Sequence, residues 1–224
     1  MLKILVITND FSPRVGGINE YVDQIVRRLP EAVVFAADWE GARAFDETYP
    51  HRVIRWRSTT LRASRDATAR AIEIARAERP DLIVFGALYP LGAMGRAITN
   101  ATGLPYAGWT HGVEPVMCGA PVARALYARV ARGASLVTAV SEWSRAIQQR
   151  AVRRDIELLR PGIDQAAFHP GIDAEPLRAR HALGDAPVIV NVARLVKRKG
   201  NDVLIRALPR LADAGVRLVV VGAG

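Results

Sequence analysis

The sequence predicts an α/β protein built on a parallel β-sheet with helices on both faces. Short apolar runs rich in β-branched residues recur along the chain, and most are separated by stretches with helical periodicity; the runs are LKILVI, AVVFAA, LIVFGA, PYAGWT, SLVTAV, VIVNVA and VRLVVV. Strands that are apolar throughout must be covered on both faces, as in a parallel sheet. Right-handed crossovers bring the carboxyl ends of such strands to one edge, so we expect functional residues directly after the strands.

Five segments carry apolar residues at three- and four-residue spacing and are predicted as helices. Ser141 is a suitable N-cap for the last of them, and Gly103 followed by Pro105 ends the third. The segments are 18–29, 66–78, 91–102, 122–132 and 142–150.

Two domains are predicted, of which the second is incomplete. Residues 156–170, IELLRPGIDQAAFHP, contain a short strand followed by Pro-Gly turn chemistry and lead from one strand–helix alternation to another. We expect residues 1–168 to form an N-terminal Rossmann-like domain and residues 169–224 to form the start of a second one. Only two strands are predicted in the second alternation, too few for an independent domain.

The composition is that of a folded protein, with half of the residues hydrophobic and 24% charged. Cys118 is the single cysteine, which excludes an internal disulfide and a cysteine metal cluster, and we expect neither a metal nor a cofactor. No apolar run approaches the roughly 18 residues of a membrane span. The start MLKILVITND suits a first buried strand better than a signal peptide, and these features together predict a cytoplasmic enzyme.

The net charge is +9, and one acid-free stretch carries five of the arginines. Such a stretch can contact nucleic acid, anionic lipid or a phosphorylated substrate, or it can be an ordinary solvated face. Nucleic acid is not expected, because there is no recognisable nucleic-acid motif and no aromatic platform among these residues. The arginines are Arg52, Arg55, Arg57, Arg62 and Arg65.

The segment NDFSPRVGGINEY joins the first strand to the first helix and is a candidate phosphate site. Gly16 and Gly17 allow close backbone approach and positive φ, and a helix N-terminus that follows them offers amide hydrogens. The spacing is not the dinucleotide fingerprint, and a plain tight turn is the alternative.

The segment ARLVKRKGNDVLIRAL is a second anion-binding candidate. Arg194 follows a strand and Lys199 precedes a helix, so both cations can face one diphosphate; the alternative is a basic loop in water.

His111, in WTHGVEP, follows the PYAGWT strand and is expected at the ligand edge of the sheet. Its imidazole can reach a sugar hydroxyl or developing charge, although a lone histidine is often only a hydrogen-bonded structural residue. Asp164 in RPGIDQAAFHP is interpreted as closing an Asx turn.

Five motifs together resemble the GT-B retaining glycosyltransferases of family 4. They occur in the family's order and spacing across essentially the whole chain: SPRVGGINEYV, THGVE, VSEWSR, PGIDQAAFHP and ARLVKRKGNDVLIRAL. The resemblance implies a GT-B fold and transfer of a sugar, with retention, from a nucleotide-sugar donor. Within the family the chain is most similar to GDP-mannose-dependent phosphatidylinositol mannosyltransferases, which implies GDP-mannose as donor and a glycolipid or glycan acceptor.

The resemblance also implies roles for individual residues. Arg194 and Lys199 would bind the donor diphosphate, Gly16 and Gly17 would border the same phosphates, and His111 would contact the transferred sugar. On the acceptor side the resemblance places Asp10. Because the resembled enzymes use a lipid acceptor at the inner membrane face, it further implies that the arginine stretch meets anionic lipid in a peripheral contact.

One departure from the family lies at the end of the chain. The family carries two glutamates eight positions apart further into the second domain, beyond Gly224, so the chain is expected to be a fragment that is inactive alone. The rival interpretation is a non-catalytic nucleotide- or anion-binding α/β module.

Overall fold

The computed structural model describes residues 2–223, except the side chains of Ala212 and Asp213. The chain forms two compact units, unit 1 (Met1–Gly162) and unit 2 (Ile163–Gly224). This division falls at Gly162, whereas the sequence predicts a boundary after residue 168.

Unit 1 contains a seven-stranded sheet in the order β3-β2-β1-β4-β5-β6-β7, in which every neighbouring pair is parallel. The sequence prediction of an α/β parallel sheet is confirmed. The strands are β1 Lys3–Thr8, β2 Glu31–Ala36, β3 Arg52–Arg55, β4 Leu82–Phe85, β5 Tyr106–Thr110, β6 Leu136–Ala139 and β7 Glu157–Leu158.

Seven α-helices of unit 1 connect these strands, and a 3-10 turn at Leu91–Met94 precedes the fourth. All five predicted helices are present, and Ser141 caps the last of them by accepting the Ser144 N–H at 3.2 Å. Gly103 ends the third predicted helix with a φ of 75°. The helices are α1 Gly17–Val26, α2 Ala42–Glu47, α3 Arg65–Glu78, α4 Gly95–Thr102, α5 Val113–Cys118, α6 Pro121–Gly133 and α7 Glu142–Val152.

The core of unit 1 lies on both faces of the sheet, as expected for strands that are apolar throughout. Leu5 and Ile7 of β1 point to the face covered by α3, α4 and α6. Ile4 and Val6 point to the opposite face, where α1 packs. Because both faces are filled, the exposed carboxyl edge of the sheet is left for a site.

Unit 2 contains two parallel strands, β8 (Val188–Val192) and β9 (Arg217–Val221), as predicted. Two short helices accompany them, α8 (Glu175–Arg180) and α9 (Asn201–Ala207), with 3-10 segments at Lys197–Lys199 and Leu208–Ala214. Apolar strand residues remain exposed, among them Val192 at 75% and Val190 at 57%. Two strands therefore do not enclose a core of their own.

Within the described residues, none of the helices is both long enough and apolar enough to cross a bilayer.

Candidate active site

A pocket of about 300 Å³ lies at the carboxyl edge of the sheet in unit 1. Residues that follow four different strands line it, which is where the topology of a parallel sheet predicts a site. The pocket brings together Asp10, Arg62 and His111, which the sequence assigned to three separate roles. Its lining also includes Asn9, Ile18, Thr60, Leu61, Ala87, Tyr89, Pro90, Leu91, Val113 and Glu114.

The His111 imidazole is oriented by the end of the neighbouring strand. Its Nε2 lies 2.6 Å from the carbonyl oxygen of Gly86. Because a carbonyl can only accept, Nε2 must carry the hydrogen, and the neutral ring then has an unprotonated Nδ1 that can accept a hydrogen bond. The arrangement presents an acceptor to a hydroxyl group.

Tyr21 of α1 supports the same ring from the side. The two rings meet edge to face, with centroids 5.1 Å apart and an interplanar angle of 83°. Burial raises the pKa of Tyr21 to about 12, so its hydroxyl stays protonated and donates to the Leu159 carbonyl at 3.0 Å. His111 is thus supported by an aromatic side chain that is itself fixed.

The backbone around His111 is held by the buried carboxylate of Glu114. Its Oε2 accepts the N–H of His111 at 3.2 Å and the N–H of Gly112 at 3.1 Å. Gly112 has a φ of 124°, a backbone conformation that residues other than glycine rarely adopt. These contacts give the loop after β5 a defined shape.

The loop after β1 is fixed in a similar way at Asp10. Thr8, fully buried, accepts the Asp10 N–H at 3.1 Å through its hydroxyl, which also lies 3.0 Å from the Asp10 carbonyl. Thr8 also explains why residue 86 is glycine, since a Cβ there would lie 2.6 Å from the Thr8 hydroxyl oxygen. The close approach of β1 and β4 thus sets both the Asp10 backbone and the carbonyl that orients His111.

The glycine pair at the start of α1 has the predicted helix N-terminus but not the predicted positive φ at Gly16. Gly16 has a φ of 170°, which is extended backbone that any residue adopts, so the expected positive φ is wrong for this residue. A Cβ there would lie 2.8 Å from Asn19 Oδ1, so the Asn19 side chain would have to shift to admit it. Around Gly17 no atom lies within 4 Å of an added Cβ, and no side chain caps the helix.

Comparison with known proteins identifies the family of the chain. The model of the family described as Glycosyltransferase Family 4 matches residues 15–167. The chain belongs to glycosyltransferase family 4.

Two curated relatives of this family 4 chain are mannosyltransferases by name. The GDP-mannose-dependent alpha-(1-6)-phosphatidylinositol monomannoside mannosyltransferase of Mycolicibacterium smegmatis is 36% identical over 99% of this chain. The GDP-mannose-dependent monoacylated alpha-(1-6)-phosphatidylinositol monomannoside mannosyltransferase of Corynebacterium glutamicum is 35% identical over 99% of it. The chain spans 61% of the length of each relative.

Solved structures show the same fold at lower sequence identity. Anabaena HepE in complex with UDP and glucose matches all of this chain with a TM-score of 0.79 at 20% identity, and the match covers 62% of HepE. The sucrose-phosphate synthase of Thermosynechococcus elongatus matches 99% of this chain and 62% of its own, with a TM-score of 0.73 at 18% identity. The fold of this family 4 chain is of the GT-B type.

The arginine stretch of the glycosyltransferase does not form one exposed surface. Arg55, at the end of β3, has a side chain only 12% exposed and binds Asp46 at 2.6 and 2.9 Å. It also donates to the carbonyls of Ala37 and Ser12, at 2.9 and 2.8 Å. The expectation that Arg55 meets lipid does not fit this burial. The contacts of Arg55 instead connect the loop that follows Asp10 to the end of β2 and to α2.

The other four arginines of the stretch are exposed. Arg57 is 2.8 Å from Asp66, and Arg52 is 2.7 Å from Glu78. Arg62 lies at the pocket, where Asn9 Oδ1 accepts the preceding Leu61 N–H at 2.8 Å. Arg62 and Arg65 are therefore the better candidates for contact with an anionic group.

In unit 2, Arg194 and Lys199 are both exposed on the loop between β8 and α9. Asn201 supports this loop, donating to the Arg194 carbonyl at 3.4 Å and accepting from Asn191 at 2.6 Å. A shallow depression beside them is lined by Leu195, Val196, Lys197, Asn201 and Asp202, without either predicted cation. Asp164 closes the predicted Asx turn, accepting the Ala166 N–H at 2.9 Å.

Three residues of the candidate site were not predicted from the sequence: Tyr21, Gly86 and Glu114. Glu114 belongs to the quoted THGVE motif, and its place three residues after His111 was an available signal. Tyr21 belongs to the quoted SPRVGGINEYV motif, but nothing near it or near Gly86 in the sequence points to His111, because each meets His111 only through the fold.

Proposed function

We propose that the protein transfers mannose from GDP-mannose, with retention, to a phosphatidylinositol mannoside-like lipid or a related glycan. The observation that carries the proposal is the pocket in which Asp10, Arg62 and His111 meet at the carboxyl edge of the sheet. The donor and the acceptor are taken from what the names of the mannosyltransferase relatives say of those proteins.

The pocket suits a polyhydroxylated acceptor that bears a phosphate. The Asp10 carboxylate can accept hydrogen bonds from ring hydroxyls, while Arg62 supplies a guanidinium for a phosphate. His111 Nδ1, left unprotonated by the bond from Nε2 to Gly86, accepts from a hydroxyl of the transferred sugar. A volume of about 300 Å³ is at the lower end of small-molecule sites, so it would hold a sugar or inositol ring and not a lipid chain.

The donor diphosphate is assigned to the cationic loop of unit 2 that carries Arg194 and Lys199. As the bond between the sugar and the diphosphate breaks, negative charge grows on the leaving group, and Arg194 and Lys199 would stabilise it. In unit 1, the start of α1 beside Gly16 and Gly17 is a separate candidate for binding a phosphate, with uncapped amides and the positive end of a ten-residue helix.

The proposal is tested by transfer of labelled mannose from GDP-mannose to an acceptor lipid, measured with the whole gene product. Appearance of label in the lipid fraction supports it. Equilibrium binding of GDP with no transfer would favour the rival interpretation, a nucleotide-binding module without catalysis.

If the acceptor is a lipid, we expect the protein to bind an anionic membrane surface reversibly through Arg57, Arg62 and Arg65. Each cation near such a surface contributes on the order of 1 kcal/mol, and Arg57 contributes less because it is paired with Asp66. Replacing all three with serine is expected to lower the partition coefficient on phosphatidylserine vesicles by about tenfold or more, with the difference fading at high salt.

Vesicle sedimentation measures this difference. The matched control replaces Arg28, Arg43 and Arg150 with serine, because these three arginines are also exposed and the change in charge is the same. Equal binding of the two triple variants, or no preference for anionic over neutral vesicles, would contradict a lipid-facing role for this surface.

A further inference from the structure

Glu114 is a buried carboxylate to which the proposed function assigns no contact with a substrate. Only 2% of the residue is exposed, although it lines the pocket next to His111. Burial of a carboxylate is costly unless hydrogen bonds replace its water. The two N–H groups that it accepts are those of His111 and Gly112, so its charge is satisfied by the very loop that carries the histidine.

Both N–H groups converge on a single oxygen, Oε2, at 3.2 and 3.1 Å. This convergence needs the unusual backbone of Gly112, whose φ is 124°. Hydrogen bonds to an ionised acceptor are roughly twice as strong as those between neutral groups. The carboxylate therefore favours this loop conformation among the many that a glycine at position 112 allows.

The hydrogen bond to Glu114 and the bond from the ring to Gly86 hold His111 at two points. The first fixes the backbone nitrogen of His111, and the second fixes ring atom Nε2, 2.6 Å from the Gly86 carbonyl. If the backbone shifts, Nε2 cannot keep its short bond, and the hydrogen on the ring is free to move to Nδ1. A carboxylate that touches only the backbone can thus determine which ring nitrogen is available.

We propose that Glu114 is a positioning residue for His111, keeping the hydrogen on Nε2 and leaving Nδ1 as the acceptor. The importance of this tautomer rests on the proposed function, in which Nδ1 accepts a sugar hydroxyl. The existence of the tautomer and its dependence on Glu114 do not require any substrate, so they are measurable on their own.

The test is ¹⁵N NMR of the histidine rings in the 224-residue chain, at about pH 8.5, where an ordinary histidine ring is neutral. The His111 signals are assigned by their loss in His111→Gln. In the parent, His111 is expected to show an Nε2–H pattern. In Glu114→Ala the pattern is expected to become a mixture of tautomers, and exchange of the His111 and Gly112 amide hydrogens is expected to accelerate about tenfold.

Two variants separate positioning from general stability. Glu114→Gln keeps an oxygen acceptor of the same reach and is expected to restore most of the Nε2–H pattern, whereas Glu47→Ala, at an exposed position, should leave His111 unchanged. If Glu114→Ala does not fold, Glu114→Asp, which is one methylene shorter, takes its place with the same expected direction. An unchanged tautomer in the folded variant, or uniformly faster exchange along β5, would overturn the proposal. Failure of mannose transfer with an intact tautomer shift would reject only the proposed function.

Discussion

His111→Ala is expected to lower the rate of mannose transfer by about 100-fold or more, while GDP affinity changes by less than about twofold. The pocket residues of unit 1 surround His111, whereas the cations assigned to the diphosphate belong to unit 2. Removal of the ring would take away the proposed hydrogen bond to the transferred sugar and leave the proposed phosphate contacts in place. The loss should therefore appear in kcat and not in nucleotide binding.

Initial rates of transfer and isothermal titration with GDP measure the two quantities separately. His181→Ala is the matched control, since His181 is exposed in unit 2 and lies far along the chain from the pocket residues. A fall in GDP affinity as large as the fall in turnover would contradict the assignment and make His111 a phosphate-binding or structural residue.

Arg194→Ala and Lys199→Ala are each expected to weaken GDP binding by about 1.5 to 3 kcal/mol, the range of a charge-assisted hydrogen bond. Both side chains are exposed on one loop that Asn201 holds in place. Because both side chains would interact with the anionic diphosphate, the loss of GDP affinity in each variant should become smaller as the salt concentration rises.

The matched control for these variants is Lys197→Ala, which removes an exposed cation from the same loop. It should change GDP affinity by much less than either variant if the contacts are specific. Unchanged GDP affinity in both Arg194→Ala and Lys199→Ala would exclude them from the diphosphate site, and equal losses in all three would indicate only a diffuse positive field.

The sequence predicts the fold of this chain well, because strands buried on both faces leave a strong local signal. Every predicted apolar run forms a strand, and the position of His111 after β5 follows directly from that pattern. The elements that it missed are short or polar. β3, with the sequence RVIR, has arginines at both ends, and α5 has only six residues, too few for a periodic signal.

Residue roles are harder to predict where they depend on long-range contacts. Nothing near Arg55 in the sequence shows that it binds the Ser12 carbonyl, 43 positions away, and a count of charges groups it with its exposed neighbours. Gly16 was assigned to backbone freedom, whereas its backbone is extended and an added Cβ would meet the Asn19 side chain. In both cases the residue type was informative, but the reason for it lay in a contact that only the fold creates.

The most direct test of the account is a competition assay of the whole gene product with equal amounts of GDP-mannose and UDP-glucose and a phosphatidylinositol monomannoside acceptor. Mass spectrometry identifies the released nucleotide and the product lipid, and a mannose-specific glycosidase identifies the added sugar. We expect release of GDP and a lipid heavier by one mannose, with little GDP released when the acceptor is omitted. Release of UDP with a glucosylated product, or consumption of GDP-mannose that is independent of the acceptor, would contradict it.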